Sequence, residues 1–143
     1  MNPERIAPEH GNEKFLQKLE RMDIDVHACF QCGRCSAGCP VSEYFDLQVM
    51  EVVRLASYGQ EDILLASRTI WLCAACETCA TRCPNEIEIA GLMDVLRSLA
   101  LKKGVSPAER RVPLLHKSIL DSVRHWGRAY EIGMIDGYKM RSG

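Results

Sequence analysis

The sequence predicts an all-α fold, and three observations carry the prediction. Apolar residues recur at three- and four-residue spacing, no segment shows the strict alternation of a half-buried strand, and capping residues mark the ends of the apolar stretches. The remaining length falls into long loops that hold eight cysteines.

The helices can be taken in order. Asn12 is placed to cap a short helix with Phe15, Leu16, Leu19 and Met22 on one face. Asp46 is expected to cap a helix carrying Val49, Met50, Val53 and Ala56, which Gly59 closes in a left-handed turn. A second short helix spans roughly Glu61 to Ser67. The strongest stripe is Ile89, Leu92, Met93, Leu96, Leu99 and Ala100, with Lys102 and Lys103 near its C-terminal dipole and Gly104 beyond. Ser106-Pro107-Ala108-Glu109 predicts another helix start, with Pro113 breaking or restarting the helix that Leu115, Ile119, Val123 and Trp126 extend to Gly127. Residues 128–143 hold three glycines among Tyr130, Ile132, Met134, Ile135, Tyr138 and Met140. They read as an irregular tail that either docks a partner or folds back over its own helices. The expected division is therefore a domain over 1–127 and a C-terminal tail over 128–143.

A 143-residue chain with 47% hydrophobic and 26% charged residues has the composition of a globular protein rather than a disordered or fibrous one. Residues 1–20 contain no apolar stretch of signal-peptide type, and the longest uncharged apolar run, Ile70 to Cys76, is far too short for a membrane span. A cytoplasmic protein without a direct membrane span is expected, and in that reducing compartment eight cysteines read as metal ligands rather than disulfides. Residues 1–100 hold nine basic and fifteen acidic residues, whereas 101–143 hold nine and four. The basic residues of the C-terminal part are spread rather than clustered, so no nucleic-acid partner is expected.

The sequence repeats itself once. Cys29, Cys32, Cys35, Cys39 and Pro40 recur as Cys73, Cys76, Cys79, Cys83 and Pro84, each at an offset of 44. Each copy reads C-x2-C-x2-C-x3-C-P, the run that holds a 4Fe-4S cube through three closely spaced thiolates and sends its fourth cysteine to the other cluster. Cys29, Cys32, Cys35 and Cys83 are then the ligands of one cluster, and Cys73, Cys76, Cys79 and Cys39 those of a second. Zinc calls for four tetrahedral ligands in separated pairs, and a recurring third cysteine, fourth cysteine and proline do not fit that pattern. Gly33 and Gly38 allow close backbone approach, and Arg34, Arg82 and His27 are candidate modulators of potential. Two clusters at about −2 each would take the formal charge of −1 to about −5. No thiol is left for catalysis, and neither G-x-G-x-x-G nor a P-loop is present. No catalytic residue is assigned. His116 and His125 read as ordinary surface or packing residues, and Trp71 and Trp126 as core or interface anchors.

The segments CFQCGRCSAGCPVSEYFD and IWLCAACETCATRCPNEIEI, with the tail RHWGRAYEIGM, together resemble the small iron–sulfur C subunit of heterodisulfide reductase over roughly residues 12–135. The cysteine pattern by itself is also similar to the helical ferredoxin domains of succinate dehydrogenase, fumarate reductase and glycolate oxidase. The resemblance implies a helical ferredoxin fold wrapped around two 4Fe-4S clusters, followed by a C-terminal helix and the tail. It also implies a non-catalytic electron-transfer component of an oxidoreductase complex. Such a component relays electrons between the flavin-bearing A subunit and the disulfide-reducing B subunit of heterodisulfide reductase, with hydrogenase or formate dehydrogenase reached through the flavin-bearing one. In methanogens the substrate of that assembly is the coenzyme M–coenzyme B heterodisulfide. The alternatives are a relay component of a bacterial sulfur-metabolism or aromatic-reduction complex and a stand-alone dicluster ferredoxin.

Overall fold

The structure, a computed structural model, describes residues 11–142. Residues 1–10, on which part of the signal-free reading rests, lie outside the described residues. Every regular element among the described residues is helical, in agreement with the all-α expectation. The chain divides into two compact units, one ending at Ser106 and the other beginning at Pro107.

In the first unit, α1 (Glu13–Glu20) begins where Asn12 accepts hydrogen bonds from the Lys14 and Phe15 amides. The Asn12 backbone N–H donates to the Gly59 carbonyl at 3.0 Å and its side-chain amide donates to Glu61. Glu61, only 5% exposed, is also paired with Lys103 at 2.8 Å, so a buried carboxylate that would otherwise be costly has two partners. Helix α2 (Arg34–Ala37) lies inside the first cysteine loop, and α3 (Val49–Ser57), α4 (Glu61–Leu65) and α5 (Thr69–Leu72) fill the link to the second loop, which contains α6 (Thr78–Thr81). Helix α7 (Ile89–Lys102) packs against α4, α5 and α6, and α2 touches both α3 and α6. The core is mainly apolar: Leu19, Val52, Leu64, Ile70, Leu92, Met93 and Leu96 are all nearly inaccessible to solvent. Trp71 is buried there too, as an anchor.

Gly59 ends α3 at φ +65°, as the sequence predicts. A Cβ at this position would stand 2.7 Å from the Asn12 nitrogen. Both the left-handed backbone and the contact with fixed main chain oppose a side chain, so Gly59→Ala is expected to destabilise the unit by about 2 kcal/mol or more. Equilibrium denaturation of the variant measures that loss.

The second unit corrects three expectations. Its first helix, α8 (Arg111–Trp126), starts four residues after Pro107, not at the Ser-Pro-Ala-Glu signature. The later start puts Pro113 in the first turn, where its missing N–H leaves no helical bond unmade; a start at Pro107 would have buried the proline mid-helix. The predicted irregular tail is helical: α9 (Glu131–Ser142) follows a turn in which Gly127 adopts φ +68°. The boundary accordingly falls at 106/107 rather than 127/128, because α8 packs against α9.

Small residues form that contact. Ser118 and Ser122 are the buried positions of α8, and a Cβ on Gly137 would lie 3.6 Å from the Ser118 hydroxyl. Ser122 Oγ accepts from the Tyr130 N–H at 2.8 Å, and Arg141 pairs with Asp121 at 2.9 Å. The predicted stripe of Leu115, Val123 and Trp126 stays largely exposed, with Trp126 at 60%. Ser118 Oγ is buried and has no hydrogen-bond partner among the described residues. Replacing it by Ala removes an unsatisfied hydroxyl at nearly constant volume, and Ser118→Ala is expected to raise stability by about 1 kcal/mol in the same denaturation assay.

Candidate metal centre

The two cysteine loops repeat in backbone as well as in sequence. Gln31 and Gly33 adopt φ +56° and +74° in the first, and Ala75 and Glu77 adopt φ +50° and +60° at the matching places in the second. Each pair of left-handed residues turns the chain tightly enough to bring three cysteines to one side, and each is followed by a four-residue helix, α2 or α6. The first loop is held to its neighbour by Ser36, whose hydroxyl accepts the Met50 amide at 2.9 Å in the first turn of α3.

Hydrogen bonds between distant segments then cross the two loops. The Asn85 side chain donates to the Ala28 carbonyl, which joins the segment after Cys83 to the residue before Cys29. Asp46 joins the segment after Cys39 to the turn before Cys73. Its carboxylate accepts from Ser67 Oγ at 2.6 Å, the Arg68 N–H at 2.9 Å, and the Thr69 N–H and hydroxyl at 3.0 and 2.8 Å. The sequence expectation that Asp46 caps α3 is thus corrected: Gln48 occupies the N-cap, its N–H donating to Glu51 at 2.7 Å, while Asp46 fastens the start of α5. Burial alone would raise the Asp46 carboxyl, but the bonds from Ser67, Arg68 and Thr69 outweigh it and hold the group below its ordinary value near 3.8.

Two cavities result. Cys29, Cys32, Cys35 and Cys83 line one, together with Gly33, Arg34 and Asn85. Cys39, Cys73, Cys76 and Cys79 line the other, with Glu77 and Thr78. Each cavity takes three cysteines from one motif and its fourth from the other. Among the described residues no three His, Cys, Asp or Glu side chains converge on a point fit for a single metal ion. Four cysteines lining one cavity are the donor set of a four-iron cube with one thiolate per iron.

The thiols are graded along each motif. The second cysteine of each, Cys32 or Cys76, is exposed. Burial pushes the third up: Cys35 lies above its ordinary value and Cys79 reaches about 11. A thiol so disfavoured as a free thiolate is a good ligand only when metal binding takes its proton's place. Cys76 is shifted the other way by the Thr78 hydroxyl, 3.4 Å from its sulfur. Of the predicted modulators, Arg34 lines the first cavity, and Arg82 lies over Gly38, where a Cβ would meet its guanidinium. His27 stands outside both cavities, exposed, with its N–H bonded to Asp25 at 3.0 Å.

Sequence reasoning missed Arg97. Its Nε donates to the Ile70 carbonyl at 2.5 Å and its guanidinium also reaches the Cys73 carbonyl, tying the C-terminal end of α5 to α7. Asn85 was missed as well. Its place directly after the Cys-Pro pair was the one available signal, whereas Arg97 is separated from Cys73 by 24 residues with no local cue.

Residues 25–87 match the 4Fe-4S dicluster domain family. The chain is 31% identical over 71% of its length to the C subunit of the H2:CoB-CoM heterodisulfide,ferredoxin reductase of Methanothermobacter marburgensis, covering 56% of that protein. It is 35% identical over 71% to the C subunit of the Ferredoxin:CoB-CoM heterodisulfide reductase of Methanosarcina mazei, covering 63% of it. The iron-sulfur C subunit of the CoB–CoM heterodisulfide reductase of Methanopyrus kandleri is 32% identical over 76% of this chain and 62% of its own length. Over about seven tenths of its length the chain is similar to heterodisulfide reductase C subunits. It spans rather more than half the length of these relatives. Residues 25–87 carry a 4Fe-4S dicluster domain, and the eight cysteines of the chain supply the thiolates that two clusters require. Among its described residues no helix is long and apolar enough to cross a membrane.

Proposed function

We propose that the chain is the cytoplasmic electron-relay component of a heterodisulfide reductase-type complex, passing electrons between a flavin-bearing A-like partner and a disulfide-reducing B-like partner. The observation that supports this most is the pair of four-cysteine cavities in one small unit, whose linings account for all eight cysteines. Bound 4Fe-4S clusters supply one-electron chemistry without bond making. Cys29, Cys32, Cys35 and Cys83 hold one, and Cys39, Cys73, Cys76 and Cys79 hold the other. The chain's own residues set the two apart in a buried frame and leave an edge of each open at Cys32 and Cys76. Disulfide cleavage needs an attacking thiolate or an open metal position, so the relay reading assigns that chemistry to a partner.

Anaerobic native purification tests the proposal. Co-purification with a flavoprotein and a second iron–sulfur protein, at about eight irons per chain, is the expected result. Stoichiometric zinc without iron–sulfur absorption would overturn it, and a lone, fully loaded chain would replace it with a freely diffusing ferredoxin.

A further inference from the structure

The two loops are close to a matched pair, so their few differences are informative. The left-handed residues, the short helices and the exposed second cysteine recur at the 44-residue offset. Each loop also makes one hydrogen bond to a sulfur at 3.4 Å, from the Gln31 N–H to Cys29 in the first and between the Thr78 hydroxyl and Cys76 in the second. Two of the main determinants of cluster potential are thus alike, the number of sulfur hydrogen bonds and the exposure of the second cysteine, whereas the third cysteine is buried in the first loop and half-buried in the second. Charge differs in sign. Arg34 is the one charged residue among those lining the cavity of Cys29, Cys32, Cys35 and Cys83. Glu77 is the one charged residue among those lining the other. In the repeat Arg34 corresponds to Thr78, and Glu77 to Gly33.

Two further cations stand near the loops without lining either cavity. Arg97 reaches the Cys73 carbonyl but is ion-paired to Asp94 at 2.9 Å. Arg82 precedes Cys83 of one centre and lies over Gly38, which precedes Cys39 of the other, and it lines neither cavity.

Building on the cluster reading above, we propose that Arg34 and Glu77 fix the order of the two reduction potentials, so that the centre walled by Arg34 accepts an electron before the centre walled by Glu77. An added electron makes either centre more negative. A guanidinium lining the cavity stabilises that state and a carboxylate opposes it, and because Arg34 and Glu77 are both exposed, solvent reduces the two effects alike. Downhill flow is then from the centre at Cys39, Cys73, Cys76 and Cys79 to the centre at Cys29, Cys32, Cys35 and Cys83. One electron leaves the first, oxidising it, and reduces the second, with no bond formed and no proton moved. Electrons enter past the exposed Cys76 and leave past the exposed Cys32, which makes the relay directional.

The test is an anaerobic redox titration of the loaded chain followed by electron paramagnetic resonance, on the wild type, Glu77→Gly, Glu77→Gln and Arg34→Thr. Two of these substitutions install the residue found at the matching place in the other loop, and glycine suits the φ of +60° at position 77. Glu77→Gln removes the charge alone. Both position-77 variants are expected to raise the lower of the two potentials and leave the higher in place, and Arg34→Thr to lower the higher one. If Arg34→Thr does not fold, the position-77 pair decides alone. The ordering is overturned if the position-77 variants move the higher-potential signal, if neither signal moves, or if both move together. Full iron content with any of those outcomes removes the ordering and leaves the cluster reading intact. Wild-type protein with far fewer than about eight irons removes both.

Discussion

Cys39→Ala is expected to abolish the resonance signal of the centre that contains Cys73, Cys76 and Cys79, and to lower iron from about eight to about four per chain. The expectation rests on the position of Cys39, which lines the cavity of the second motif although it belongs to the first. The surviving signal can be identified: it responds to Arg34→Thr and not to Glu77→Gly. Survival of the second-motif signal with loss of the other would overturn the crossed assignment.

Asp46→Ala is expected to be the most damaging substitution outside the cysteines, at about 3 kcal/mol or more. It removes the acceptor of the Arg68 amide and the Ser67 hydroxyl and leaves the Thr69 amide only Ser67 Oγ, at a partly buried turn. The pH dependence has a defined sign. The Asp46 carboxyl is held below its ordinary value near 3.8, so its contribution is present above that value and is lost as pH falls through the lower folded-state value. The stability gap between wild type and Asp46→Ala is therefore level near neutrality and narrows below about pH 4. Anaerobic denaturation read by tryptophan fluorescence at a series of pH values measures the gap. A gap that widens on acidification would exclude this role for Asp46.

Much of the fold was legible because its signals are local. The Asn12 cap, the left-handed closure at Gly59 and the stripe of α7 each depend on residues within a turn or two of one another. The helix start before α8 was misread for a related reason: the Ser106 to Glu109 signature is local, but Pro113 outranks it by allowing only a later start. Helix α9 was missed because Gly133 and Gly137 suggest irregular chain, while its real support, the close approach to Ser118 and Ser122, lies in another helix. The centre divides in the same way. The spacing of the cysteines announced itself at fixed offsets, but the residues that bring the two motifs together, Asp46 with Thr69, Asn85 with Ala28 and Arg97 with Cys73, join positions 23, 57 and 24 residues apart and have no periodic signature.

The exchange of the fourth cysteine also changes what the duplication means. Tandem copies in a sequence usually mark modules that can be excised, multiplied or recombined. Here neither copy encloses a complete cavity, since Cys83 completes the set begun at Cys29 and Cys39 the set begun at Cys73. The indivisible unit is the interlocked pair. A fragment cut anywhere between the motifs carries four cysteines but only three walls of any site, and insertions are tolerated in the connecting helices only where they leave both crossings in register.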